Sequence, residues 1–300
     1  MNAPRRPPRR KVDGVLLLDK PLGITSNAAL QKARWLLNAA KAGHTGTLDP
    51  LATGLLPLCF GEATKFAGEL LDADKAYHAT VRLGITTDTA DAEGRVLVTR
   101  PVTAGEAEVR ALLPRFVGTQ HQVPPMHSAL KRDGVPLYEL ARQGIEVERV
   151  PRQITIHSLE FLGWSGDGFD LAVACSKGTY IRTLAADIGM ALGCGAHLAA
   201  LRRTRVGTLE VANAVLLEQF EATPVDEREK LLLPADALLA ELPVVQLSDQ
   251  DVTHLLLGQA VRWAGTPSCR CRLSGPQGFI GMGEFTADGW LKPKRLVASA

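Results

Sequence analysis

Apolar and polar positions change period several times along this chain, and each change predicts an element. Gly14-Val-Leu-Leu-Leu-Asp19-Lys20-Pro21 is a run of branched apolar residues bounded by Gly and Pro, the pattern of a short buried strand. From Ser26, a candidate N-cap, Leu30, Ala33, Leu37 and Ala40 recur at helical spacing, while Gln31, Arg34, Asn38 and Lys41 take the opposite face. Tyr77, Ala79, Val81, Leu83 and Ile85 alternate with His78, Thr80, Arg82, Gly84 and Thr86, as in a half-buried antiparallel strand. Phe169, Leu171, Val173 and Cys175 alternate likewise. The turn Ser176-Lys-Gly-Thr179 then leads into a helical pattern at Ile181, Leu184, Ala185, Ile188, Ala191 and Leu192, closed by Gly193.

Other stretches lack a clean period. Gly43 to Gly54 holds too many Gly and Pro positions for a helix or a central strand and predicts a shaped loop. Residues 120–150, with Pro124-Pro125, Lys131-Arg132 and an amphipathic patch at Leu137, Leu140 and Ala141, read as a protruding loop and helix. Glu218 to Pro243 reads as helical and charged. Residues 243–300 become short Gly-punctuated strands, a small β-rich module. The expected organisation is therefore α+β: a tail over residues 1–11, a main domain over 12–242 and a C-terminal module over 243–300.

Composition narrows the class. Hydrophobic types make up 46% and charged types 22%, enough apolar mass for one large core or two. Aliphatic runs such as Val15 to Leu18 and Leu255 to Leu257 fall far short of the roughly 20 residues a membrane-spanning helix needs. Five scattered cysteines point away from a disulfide framework and toward the cytoplasm. Cys269-x-Cys271 lacks a second Cys/His pair at zinc spacing. The net charge of +2 rests on the tail, whose Arg5, Arg6, Arg9, Arg10 and Lys11 meet no acid. Without those five, the bases no longer outnumber the 32 acids, so a polyanion would meet local patches only. A Pro/Arg tail cannot bury apolar area and is expected to be disordered, either passive or attracting phosphates.

The signatures of nucleotide-cofactor, P-loop, serine-triad and zinc-protease enzymes are absent. Asp88-x-x-Asp91-x-Glu93-Gly94 misses the register of a calcium loop. Asp49 is more specific: Leu48 and Pro50 flank it and Leu51, Leu55 and Leu56 follow, so burial would raise its pKa unless a cation or backbone donors keep it charged. Read alone it is either a turn aspartate bonding its own loop amides or a functional carboxylate. Arg182 lies in the first turn of its helix, where the macrodipole disfavours a cation. Alone it reads equally as a tolerated surface residue, and Tyr77 as ordinary strand packing.

Taken together, these segments carry a resemblance. Gly43-His-Thr-Gly-Thr-Leu-Asp49-Pro-Leu-Ala-Thr-Gly-Leu-Leu-Pro57, with Leu17-Leu-Asp-Lys20-Pro21 before it, is followed in order by Lys75-Ala-Tyr77, Ser176-Lys-Gly-Thr-Tyr-Ile-Arg182 and Gly193-Cys-Gly-Ala-His-Leu-Ala-Ala-Leu201-Arg-Arg. The set resembles the bacterial TruB-type tRNA pseudouridine synthases from about residue 12 to the C-terminus. The resemblance implies a mixed, mainly antiparallel sheet with flanking helices and a PUA-like RNA-binding module at the end. It implies a uridine in the tRNA T-loop, position 55, flipped out and isomerised without cofactor or metal. Asp49 matches the catalytic aspartate, Tyr77 the active-site tyrosine that stacks on the base near its C5 proton, and Arg182 the partner of the aspartate, expected as a bidentate fork. His44 matches a wedge that fills the vacated space, Lys20 and Pro21 a motif beside the pocket, and Leu201 an apolar wall. Tyr180, Arg202 and Arg203 join the expected substrate contacts, the two arginines either touching phosphates or sitting at a solvated helix terminus. The insertion over 120–150 is expected to touch RNA. The implied partner is the T-arm stem-loop of tRNA, met by a monomer with no obligatory protein partner. A tRNA-binding or folding protein without turnover is the rival reading, and a synthase working inside a guide-RNA complex is another.

Overall fold

The computed structural model describes residues 8–263 and 269–297. A ten-stranded sheet runs, edge to edge, through Val215–Leu216, Gly14–Lys20, Ala52–Phe60, Ala196–Val206, Lys75–Leu83, Gly168–Cys175, Arg152–Ser165 and Gly118–Gln122, with Ala42–His44 and Leu209–Glu210 attached to the side of this path. Val215–Leu216 joins Gly14–Lys20, and Ala196–Val206 joins Ala52–Phe60, in parallel; the other pairings are antiparallel. This is the mixed, mainly antiparallel sheet expected.

Two apolar clusters share one face of it, since Leu201 pairs with both Ala52 and Ala79. In one half Ala79, Val81 and Leu83 pack with Leu184, Ala185 and Ile188 of the helix Ile181–Ala191. In the other half Ala29, Leu30 and Ala33 of the helix Ser26–Leu36 pack with Leu16, Leu18, Leu56 and Leu58, and the opposite face buries Val15, Leu17, Leu55 and Cys59. Tyr77 and Leu201 touch both clusters, so they mark the seam where a cleft can open.

Several expectations need correction. Thr25, not Ser26, caps the first helix by accepting from the Ala28 amide at 3.0 Å, and the helix stops at Leu36 because Asn38 turns to φ 50°. The Gly43–Gly54 stretch is a loop only in its middle: it leaves the Ala42–His44 strand and enters Ala52–Phe60, which is central in the sheet despite Gly54 and Pro57. The segment 218–243 is not one helix. Leu217–Ala222 is a short α-helix, and 3₁₀ turns follow at Arg228–Leu231 and Ala235–Leu239, since Pro224 and Pro234 interrupt any longer run. Within 120–150, Lys131–Arg132 and Val135–Pro136 form a hairpin around Asp133-Gly134, both at positive φ, before the helix Leu137–Arg142.

Residues 1–7 of the tail lie outside the described residues, but Arg9 and Arg10 do not float free. Arg9 donates to the Ala39 carbonyl at 3.0 Å, Arg10 exchanges backbone hydrogen bonds with Asn38 and Ala40, and its guanidinium meets Glu229 at 2.5 Å.

The C-terminal module is a five-stranded sheet in the order Val244–Gln246, Arg270–Gly275, Gly278–Phe285, Trp290–Leu296, Val261–Arg262. It also holds an unexpected helix, Asp249–Leu256, capped by Ser248 accepting from the Asp251 amide. It is anchored on the main domain: Phe279 meets Phe66 edge-on at 5.4 Å, and Lys65 donates to the Leu296 carbonyl at 2.8 Å. Among the described residues no helix is long and apolar enough to cross a membrane.

Candidate active site

The site begins with a close approach of two strands. Gly54 sits at φ 99°, and a Cβ there would lie 2.3 Å from the Arg203 carbonyl oxygen. Glycine therefore lets Ala196–Val206 lie parallel against Ala52–Phe60, with Leu201 opposite Ala52 and Arg203 opposite Gly54. The loop before that strand is held from both sides. The buried Ser26 hydroxyl donates to the Leu48 carbonyl at 2.9 Å and accepts from the Leu48 amide at 2.7 Å. Arg203 donates to the carbonyls of Leu55 at 2.8 Å, Gly46 at 3.3 Å and Thr47 at 3.4 Å. A loop so constrained presents Asp49 from a fixed base.

Asp49 faces Arg182, whose Nε lies 3.1 Å from Asp49 Oδ2. The expected bidentate fork is not formed. The Arg182 Nη1 faces Asp91 Oδ2 at 3.4 Å and donates to the Thr89 carbonyl at 3.2 Å, while Nη2 donates to the His127 carbonyl at 2.6 Å. Arg182 is thus a buried junction between two carboxylates, and its partners on three different segments prevent it from turning both distal nitrogens to Asp49. Asp91 is itself fixed by the Thr89 hydroxyl at 2.5 Å and the Glu93 amide at 3.1 Å. Burial pushes the Asp49 carboxyl above its ordinary pKa, Arg182 pulls it back, and the Asp91 charge pushes it up again.

Asp49, Tyr77, Tyr180, Arg182, Leu201 and Arg203 line one cleft of about 260 Å³. Ser128 and Ala129 of the 120–150 segment close part of its wall. Tyr180, just before the Arg182 helix, is pinned by Gln122, whose Oε1 accepts from the Tyr180 amide at 2.8 Å and whose Nε2 donates to its carbonyl at 3.1 Å.

The remaining expected contacts lie outside this lining. Lys20 is fully buried behind it, donating to the carbonyls of Pro21 at 2.9 Å and Ile24 at 2.7 Å. Burial lowers Lys20 to about 8, opposed by the charge of Asp49. Pro21 is half-buried beside it in the chain. His44 is half-buried, its Nδ1 accepting from the Gly46 amide at 3.3 Å, and burial together with Arg203 lowers its pKa.

Arg202 and Arg203 are neither a paired phosphate patch nor a helix terminus. They are neighbours in a strand, so they point to opposite faces. Arg202 forks onto Asp19 at 3.0 and 2.6 Å, while Arg203 is 2% exposed under the cleft.

Asp91, Gln122, Ser128 and Lys75 were missed as site residues. Lys75 lines the cleft and donates to the carbonyls of Leu70, Leu71 and Ala73. The Asp88–Glu93 acidic run carried the signal for Asp91, but as a candidate ion loop rather than as a partner for Arg182. Among the described residues no group of three or more His, Cys, Asp or Glu is placed to hold a metal.

Comparison with known proteins covers most of the chain. Residues 34–181 match the family described as TruB family pseudouridylate synthase (N terminal domain), residues 182–240 the tRNA pseudouridylate synthase B C-terminal domain, and residues 243–297 pseudouridine synthase II TruB, C-terminal. A relative from Dechloromonas aromatica (strain RCB), named tRNA pseudouridine synthase B, is 59% identical over 97% of this chain and 97% of its own. One of the same name from Pseudomonas fluorescens (strain Pf0-1) is 56% identical, again over 97% of each chain. Among solved structures, a chain from a Cbf5-Nop10-Gar1 complex superposes with a TM-score of 0.73 at 26% identity, covering 94% of this chain and 84% of that one.

Proposed function

The chain belongs to the TruB family and is a tRNA pseudouridine synthase that isomerises uridine to pseudouridine in tRNA; from that premise we propose which uridine it takes and which residues act. The target is the T-loop uridine at position 55. A base stacked in a folded stem-loop is out of reach of a carboxylate in a cleft, so the nucleotide is flipped out into the Asp49 cleft. His44 fills the space it leaves.

The isomerisation breaks the C1′–N1 bond, turns the uracil, joins C1′ to C5, removes the C5 proton and returns a proton to N1. Atoms and electrons balance without an external oxidant or cofactor. Asp49 is the catalytic carboxylate, whether it attacks the sugar, adds to the base or takes a sugar proton. Each route requires it ionised, which the Arg182 contact favours against burial and against Asp91. Tyr77 stacks on the base and faces the C5 proton, Leu201 and Tyr180 wall the pocket, and Lys20 with Pro21 supports it from behind. The 120–150 segment and the C-terminal module contact the T-arm. The enzyme works in the cytoplasm as a monomer without an obligatory protein partner, whereas the solved chain it resembles was captured in a complex with Nop10 and Gar1.

The observation that carries this reading is the single cleft joining the Asp49–Arg182 pair to Tyr77. The test is tritium release from C5-labelled uridine in an unmodified tRNA transcript, with the product position mapped. Release confined to position 55 is expected; tight binding without release would leave only an RNA-binding role.

A further inference from the structure

Arg203 is a cation in an unusual place. It is 2% exposed, and among the described residues no carboxylate lies within ion-pair distance of it. A guanidinium keeps its proton even when buried, so the charge stays in a poorly solvated position. Arg182, buried to a similar degree, faces two carboxylates. Arg203 has backbone carbonyls instead, one at 2.8 Å and two at 3.3 and 3.4 Å. These hold the loop before Asp49 but leave the positive charge without an anion.

The group that can supply one is opposite. Arg203 and Tyr77 are register partners in adjacent antiparallel strands and both line the cleft. Burial pushes the Tyr77 phenol above its ordinary pKa, and the Arg203 charge beside it pulls it back. Lys75, two residues before Tyr77 on the same strand, spends its donors on the carbonyls of Leu70, Leu71 and Ala73. Cys175 nearby is a neutral thiol, pushed by burial to about 11.

We infer that Arg203 is a positioning residue for the proton transfer at C5 of the uridine, acting through the Tyr77 hydroxyl. In that step the C5–H bond breaks, its electron pair restores the C5–C6 double bond while the C6–N1 double-bond pair moves onto N1, which takes up a proton from solvent, and the C5 proton passes to the Tyr77 oxygen as phenolate, giving a neutral phenol that later loses its proton to solvent. Arg203 lies where negative charge on the oxygen needs an adjacent cation, and its backbone bonds aim it there. The inference rests on the placement of Tyr77 at the C5 proton proposed above.

The experiment is a cycle of Arg203→Met and Tyr77→Phe, alone and combined, in single-turnover assays on tRNA carrying protium or deuterium at C5. Arg203→Met should lower the turnover rate about 100-fold and change KM for tRNA less than about threefold, in the range lost with a proton-transfer contribution. The deuterium isotope effect should rise, because C5 deprotonation becomes limiting. In the Tyr77→Phe background the same change should cost less than about threefold, since the group it acts through is gone. Arg203→Lys, which keeps the cation without the fork, should recover about tenfold over Met. It carries the same isotope measurement should the Met variant unfold. An equal loss in both backgrounds, or an isotope effect left at the wild-type value, would reduce Arg203 to a loop tie and overturn the inference while Tyr77 keeps its role. Wild-type turnover in Tyr77→Phe alone would overturn the Tyr77 assignment and this inference with it.

Discussion

In and behind the cleft, Lys20, Arg182 and Arg203 are each at most 5% exposed; Lys20 ends on the nearby carbonyls of Pro21 and Ile24, and Arg182 and Arg203 end on carbonyls and carboxylates of other segments. In the C-terminal module, Lys294 meets Glu284 at 2.8 Å with both side chains nearly half exposed, and Arg262 lies over the ring of Trp290 at the surface. Exposed pairs of the second kind contribute about 0 to 1 kcal/mol and weaken with salt. Removing one member of a buried set leaves an uncompensated charge and costs about 3 to 5 kcal/mol. The difference teaches where variation should act: changes in the cleft alter turnover, and changes in the module or tail alter affinity and its salt response.

Asp49→Asn should show this most strongly. It keeps the side chain's size but removes its charge, so turnover should fall by more than about a thousandfold with tRNA affinity nearly kept, as expected on losing the group proposed to react. Substantial product in a single-turnover assay would break the assignment. Arg182→Lys comes next. The charge survives, but a lysine cannot reach Asp49, Asp91 and the carbonyls of Thr89 and His127 together, so a loss of about 100-fold or more is expected. Near-normal rates would mean that the junction geometry does not matter.

The pH response of the cleft follows from the direction of the Asp49 shift. Burial and Asp91 hold its carboxyl above the ordinary value, so on acidification the reactive carboxylate is lost at a pH above about 3.9, and kcat/KM should fall about tenfold per unit below that raised value. Asp91→Asn removes one of the charges that raise it and should move the acid limb to lower pH. A limb unmoved in that variant, measured by single-turnover rates across pH, would show that Asp91 does not act on Asp49 electrostatically.

The last two predictions concern the periphery. Phe279→Ala removes the ring against Phe66, and because Phe279 is only half-buried the cost should be about 1 to 3 kcal/mol, below that of a full core deletion. Calorimetry should show a lower Tm for the module with turnover at saturating tRNA intact. Deleting residues 2–7 removes Arg5 and Arg6 and spares Arg9 and Arg10, which have protein partners. The slope of log K against log salt should flatten by at most about 1.4 to 1.8, at roughly 0.7 to 0.9 per phosphate contact, and the modified position should not change. Parallel lines for the two proteins across a salt series would make the tail passive.

Much of the fold is legible in local patterns. The alternation from Tyr77 and the helical spacing from Ile181 correspond to Lys75–Leu83 and Ile181–Ala191 because side-chain period and burial agree there. Asp133-Gly134 is a readable hairpin signal that the 120–150 reading left unused. The strand from Ala52 was hidden for a physical reason. Gly54 and Pro57 look like loop residues until a neighbouring backbone at Arg203 requires the glycine and the strand pairs Pro57 with Leu17.

The sequence by itself determined the family, the main apolar faces and the candidate set Asp49, Tyr77 and Arg182 that one cleft brings together, because ordered motifs and periodicity are local properties of the chain. Tertiary structure alone decided how charge is shared among them. Asp91 reaches Arg182 from a segment about 90 residues away, and Arg202 and Arg203 take opposite roles only because their strand lies between Ala52–Phe60 and Lys75–Leu83. A side chain's partner depends on which segments the sheet brings beside it, and spacing along the chain carries no record of that.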